Sequence, residues 1–122
     1  MLPAIPADLA KPVAAMVRRA DDANVALPPL GIAKGLASHA ACKERAALAE
    51  KIYQEENARD LPTWQQGRWH LADRYRQIWT YAAEATDGKR SDLERRRSLH
   101  ALIELVGWRA VLTGELPGPI PP

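Results

Sequence analysis

Apolar residues recur along this chain at three-, four- and seven-residue steps, the period of helices with one buried face. The clearest run follows Leu61, where Trp64, Leu71, Tyr75, Ile78, Ala82 and Ala85 fall on one predicted helical stripe. Its start is marked by Thr63-Trp64-Gln65-Gln66, a capping box whose hydroxyl and amide can satisfy orphan N–H groups. Asp87-Gly88 is expected to stop this helix, because Gly accepts the left-handed conformation of a helix C-cap. Ser91-Asp92-Leu93-Glu94 is a second capping box, and Leu99, Leu102, Ile103, Val106 and Ala110 form the next stripe. Gly114, followed by Pro117, closes it. With only Asp87-Gly88-Lys89-Arg90 between them, the two helices are predicted to pack antiparallel, as a hairpin over 63–113.

The first half carries a weaker version of the same pattern. Leu9, Val13, Met16, Val17 and Ala20 predict a helix from near Asp8 or Pro12 to about Ala26, with Lys11, Arg18, Asp21 and Asp22 outside. Pro12 fits its first turn, where the missing N–H costs nothing. Leu27-Pro28-Pro29-Leu30-Gly31 breaks the helix, and Ile32 to Ala37 reads equally as a helical turn or a loop. Ser38 is the expected N-cap of a helix running to about Asn57. Its inner residues are mostly small, Ala41, Cys42, Ala46 and Ala49, with Leu48, Ile52 and Tyr53 adding bulk. Glu44, Lys51, Glu55 and Glu56 are expected on its solvent side.

Both ends are rich in proline. Pro3 and Pro6 fix an extended arm over about 1–7, and Glu115 to Pro122 forms a polyproline-like tail over about 115–122. No stretch alternates well enough for a strand. The fold expected is therefore all-α: a four-helix bundle-like single domain over 1–122, with proline-rich extended arms at both ends.

Composition changes this picture little. The 122 residues are 47% hydrophobic, enough for one modest core. Cys42 is the one cysteine, so no disulfide forms within the chain. The first residues lack a basic segment followed by an apolar one, and no apolar run reaches the roughly 20 residues a membrane span requires. The expectation is a cytoplasmic protein without membrane contact. The net charge of +2 arises entirely after residue 60, where Lys and Arg outnumber Asp and Glu nine to seven. So small an excess does not require a nucleic-acid partner.

Candidate chemistry is sparse. His39 and Cys42 have the spacing of half a zinc site, but the chain offers no second pair, and His70 and His100 lie on other helices. No metal and no cofactor is expected. Residues Leu36, Gly67 and Arg97 stand three before the histidines, which excludes a carboxylate di-iron bundle. Gly31 and Gly35 lack the strand and the Lys-Ser/Thr of a phosphate loop. Cys42 sits among alanines, as an inert core thiol does. Arg45 and Arg68 fall near apolar stripes, where an Arg facing Glu84 or Glu104 would make an anion site. No catalytic constellation emerges, and the chain is not expected to be an enzyme.

Two features point outward. The apolar arm residues Leu2, Ile5, Leu116 and Ile120 cannot be buried by a local helix, and stiff proline arms lose little entropy on docking. They are the expected partner-binding residues of a helical interaction module, a subunit or adaptor of a larger assembly, with a protein partner or a second copy. The alternative is a nucleic-acid-backbone-binding subunit. It would use the basic loop Lys89, Arg90, Arg95, Arg96 and Arg97, with Arg76 beside it and Trp69 as stacking platform. A third reading is a small-anion or metabolite site within the bundle.

Overall fold

The computed structural model describes residues 2–18, 27–59, 62 and 66–118. Among them every regular element is helical: α1 (Ala10–Arg18), α2 (His39–Asn57), α3 (Gly67–Ala85), α4 (Asp92–Val106) and α5 (Trp108–Thr113). Two 3₁₀ turns, Ala7–Leu9 and Leu30–Gly35, precede α1 and α2. The Thr63 cap, Trp64, Ile120 and the expected run of the first helix beyond residue 18 lie outside the described residues.

α3 is the central element, packed against α2 on one side and α4 on the other. The α2–α3 pair is antiparallel, since His39 meets Ala83 near one end and Glu56 meets Arg68 near the other. Small side chains make the close approach: Cys42 and Ala49 of α2, and Ala72, Ala82 and Ala85 of α3, are fully buried. Both serine caps form as the sequence suggests. Ser38 Oγ accepts from the Ala41 N–H, and Ser91 Oγ accepts from the Glu94 N–H while donating to its carboxylate. Each such cap contributes about 1 kcal/mol.

One connected core joins these helices to the rest. It holds Tyr75, Ile78 and Trp79 of α3, Leu99, Leu102 and Ile103 of α4, and Trp108 and Val111 of α5. Val13 of α1 and Ile32 of the second 3₁₀ turn complete it, both without solvent exposure. The ambiguous segment after Gly31 is therefore a helical turn with a core residue at its centre.

Several expectations are corrected. α1, as far as it is described, packs against the two 3₁₀ turns. Pro28 and Pro29, just before the second 3₁₀ turn, are buried. The last predicted helix is two helices. Gly107, at φ 88°, ends α4 and turns the chain into α5. Leu71 is 54% exposed instead of lying in the stripe. Near the end of α4 the Arg74 guanidinium bonds the Leu105 carbonyl.

Leu48 is 42% exposed, and among the described elements α2 packs chiefly on α3. Gly88 does not terminate α3 in a left-handed conformation; positive φ occurs only at Gly107 and Gly114 among the described residues. The stop comes earlier. Thr86 caps the helix and bonds back to Ala82 O, and Asp87 Oδ1 accepts from the Lys89 N–H.

Candidate functional site

Both proline-rich ends are held by tryptophans. A buried indole N–H needs an acceptor, and a carbonyl beside proline in a non-helical segment has no ladder partner. Trp108 Nε1, on α5, donates to Pro3 O at 3.0 Å; Trp79 Nε1, on α3, donates to Pro117 O at 3.0 Å. The N-terminal segment has a second tie, where Arg109 Nη2 reaches both carboxylate oxygens of Asp8. Bonding to Arg109 holds that carboxyl below its ordinary value of 3.8. The Arg45 guanidinium lies 5.5 Å from the centre of the Trp79 ring, covering it from α2.

The four arm residues thus differ. Leu2 and Leu116 are half-buried and pack against the core cluster. Ile5 is 42% exposed, between the tie at Pro3 and the tie at Asp8. Ile120 lies outside the described residues. Trp79, Trp108, Arg109 and Asp8 are absent from the expected partner-binding residues. The signal that could have found them was the number of indole donors, four, beside prolines whose carbonyls lacked partners.

The basic loop is largely occupied at home. Arg95 Nε donates to Ala85 O and so caps the end of α3. Arg96 donates to Pro28 O and Leu27 O, fixing the segment before the second 3₁₀ turn. Arg90 lies 3.5 Å from an Asp87 oxygen and 3.6 Å from a Glu94 oxygen. Lys89 and Arg97 reach solvent. Asp87 itself is held below its ordinary value, first by the Lys89 backbone N–H, with the His39 and Arg90 charges adding to it.

Nor does the loop share a surface with Trp69. That residue is in the first turn of α3 and Ala85 in the last, roughly 24 Å along the axis at 1.5 Å per residue. Trp69 instead belongs to a row on the α2–α3 seam. Its indole donates to Asn57 Oδ1 at 3.1 Å, and its ring centre lies 5.9 Å from that of Tyr53. The Arg76 guanidinium covers Tyr53 at 4.2 Å and pairs with Asp73.

At the end of this row Glu56, Asn57, Arg59, Gln66 and Trp69 line a hollow of about 250 Å³. Glu56 was expected in solvent, yet its side chain is only 9% exposed. Arg68 bonds Oε1 at 3.0 Å and Arg59 bonds Oε2 at 3.2 Å, and these bonds, Arg68 first, keep the carboxyl below its ordinary value. Arg68, placed by the sequence near Glu84 or Glu104, meets Glu56. Glu84 accepts from Ser98 Oγ.

Cys42 is buried, with its thiol against Ala37 O, and burial pushes its pKa up. His39 Nδ1 lies 3.0 Å from Ala83 O, so it ties α2 to α3. Among the described residues no three His, Cys, Asp or Glu side chains gather as a metal ion would need. None of the described helices is long and apolar enough to cross a membrane. No protein-family model, no curated protein and no solved structure matches the chain.

Proposed function

We propose that residues 1–122 form one bundle-like helical domain that acts as a non-catalytic interaction module, a cytoplasmic subunit or adaptor of a larger protein assembly. The observation that supports this most is Ile5. It is a large apolar side chain at 42% exposure on a segment tied at Pro3 by Trp108 and at Asp8 by Arg109. A braced residue surrenders little conformational freedom when a partner covers it, so more of its burial energy remains as affinity. Leu2 and Leu116 serve as anchors that seat the arms, and Ile5 is the outward contact.

The intramolecular use of Arg90, Arg95 and Arg96 weighs against the nucleic-acid alternative, because each such bond competes with a phosphate. The test is capture from the native host by wild-type and Ile5→Glu protein at about 0.15 M and about 1 M salt. Apolar docking survives the higher salt, whereas phosphate contacts are lost steeply. Partner retention at high salt by wild type, lost in Ile5→Glu at unchanged melting temperature, is the expected result. Equal capture by both proteins, or capture abolished by salt, would contradict the proposal.

A further inference from the structure

The segment that carries Ile5 offers more than one exposed side chain. Pro3 and Pro6 fix their own φ angles, and each pushes the residue before it, Leu2 or Ile5, into extended backbone. Pro6 stands at φ −56° and ψ 144°, in the polyproline II region. One side of the segment is already used. The Trp108 indole donates to Pro3 O, the Leu9 N–H donates to Pro6 O, and Arg109 holds Asp8 just beyond. The other side is open: Pro3, Ala4 and Ile5 are exposed and Pro6 is half-buried. Among the described residues, the main-chain N–H and C=O groups of Ala4 and Ile5 have no hydrogen-bond partner.

An unpaired extended segment can be recognised in two ways. A strand added to a sheet edge must donate as well as accept, along several residues. Pro3 and Pro6 have no N–H, so only Ala4 and Ile5 could donate, and adjacent residues of a strand face opposite sides. A sheet edge would therefore find a single donor. A polyproline helix needs none, since aromatic grooves read it through its rings, apolar side chains and carbonyls. The bundle already does so from within, where the Trp108 indole grips Pro3 O.

We propose that Pro3-Ala4-Ile5-Pro6 is a preformed polyproline II ligand for a partner protein with a groove of aromatic side chains. Indole or phenol donors of that groove take the free Ala4 and Ile5 carbonyls, and its apolar floor takes Ile5. Pro3 and Pro6 lie one polyproline turn apart, roughly 9 Å at 3.1 Å per residue, so their rings share an edge. The proposal rests on the interaction-module reading and names the kind of partner that reading leaves open.

The test has two parts. The full chain, with photo-leucine in place of Ile5, is cross-linked to its partner in the native host, and the attached residues are located by mass spectrometry. Binding of the purified partner to wild type, Ala4→Pro and Ile5→Glu is then measured by calorimetry. Ala4→Pro separates the two modes of recognition, because the Ala4 N–H is bonded to nothing in the chain. It stiffens a polyproline ligand but removes a donor that strand addition requires. The expected result is cross-linking beside Trp or Tyr of the partner, with Ala4→Pro binding about two- to fivefold tighter and Ile5→Glu not binding. An unshifted Trp108 indole NMR signal reports that the arm stays seated. Where Ala4→Pro moves that signal, Ala4→Gly replaces it and should weaken binding about two- to fivefold by loosening the backbone. Loss of binding in Ala4→Pro with the indole signal unmoved would overturn the proposal. So would cross-links confined to a surface without aromatic residues or to a second copy of this chain, or Ala4→Gly binding as tightly as wild type. These outcomes leave the interaction-module reading standing as long as Ile5→Glu loses the partner. If Ile5→Glu binds as wild type does, or no partner is captured, both readings fail.

Discussion

The indole N–H of Trp108 donates to the carbonyl of Pro3 across 105 residues of sequence, at 3.0 Å. The same chemistry ties Trp79 to Pro117 at the other end of the chain. Several arginines likewise act on main-chain carbonyls at helix ends or outside helices: Arg74 on Leu105, Arg95 on Ala85, Arg96 on Pro28. Segments without a ladder of their own are thereby fastened to α3, α4 and α5.

Replacing either tryptophan by phenylalanine keeps a large aromatic ring and removes the donor. Trp108→Phe and Trp79→Phe should each cost about 1 kcal/mol, the net worth of a hydrogen bond. Urea melts check this. Arg45, stacked on Trp79, should contribute less than that bond, since its guanidinium faces solvent.

Leu102 and Leu71 are the same residue type in opposite situations, at 0% and 54% exposure. Leu102→Ala should cost roughly 2–5 kcal/mol by opening a cavity among α3, α4 and α5. Leu71→Ala should stay within about 0.5 kcal/mol, as surface substitutions do. Chemical denaturation of the two variants, side by side, is the check, and equal losses would place Leu71 in the core after all.

Glycines separate in the same way. A methyl group on Gly35 would run into the Leu112 carbonyl, and one on Gly114 into the Gly35 carbonyl, with Gly114 also at φ 73°. Gly35→Ala and Gly114→Ala should each lose roughly 1–3 kcal/mol by forcing α5 off the 3₁₀ turn. Gly88 has open space around its Cα and no positive φ. Gly88→Ala should be neutral or stabilising by up to about 1 kcal/mol through the unfolded chain. Thermal unfolding of the three variants decides the order.

Acid should lower the stability of the protein through three carboxyls. Asp8 and Asp87 ordinarily titrate near 3.8 and Glu56 near 4.5, and all three are lowered in the folded chain. A lowered folded value means that the folded state binds fewer protons than the unfolded one. Their contribution is complete above about 4.5 and is lost as pH falls through the still lower folded values. The melting temperature should therefore hold steady from pH 7 to about 5 and fall below about 4. Asp8→Asn should flatten part of that fall, which calorimetry across the range would show.

Much of the fold is legible in the sequence because local signals and packing agree. Ser38 and Ser91 cap helices where a serine precedes an apolar period, and Tyr75, Ile78, Leu99 and Leu102 lie on faces their spacing defines. The failures have physical causes. Gly107 sits inside an unbroken apolar stripe, and the positive φ that breaks it is set by packing of α5 on the 3₁₀ turn. Gly88 has the right identity for a C-cap, but Thr86 ends α3 two residues earlier with its own hydroxyl. At the candidate sites, periodicity shows which face an Arg or Trp occupies but not which distant carbonyl it reaches. Arg96 finds Pro28 and Trp108 finds Pro3 only once the chain has folded.

The most direct measurement is hydrogen–deuterium exchange of the indole N–H groups, resolved by NMR. Trp79 and Trp108 are 6% and 5% exposed and bonded to Pro117 and Pro3, so their indole protons should exchange far more slowly than those of a free indole. Removing residues 116–122 should expose the Trp79 proton and leave that of Trp108 protected. If both protons exchange at the free rate in the intact chain, the ends are not braced, and the role assigned to Ile5 falls with them.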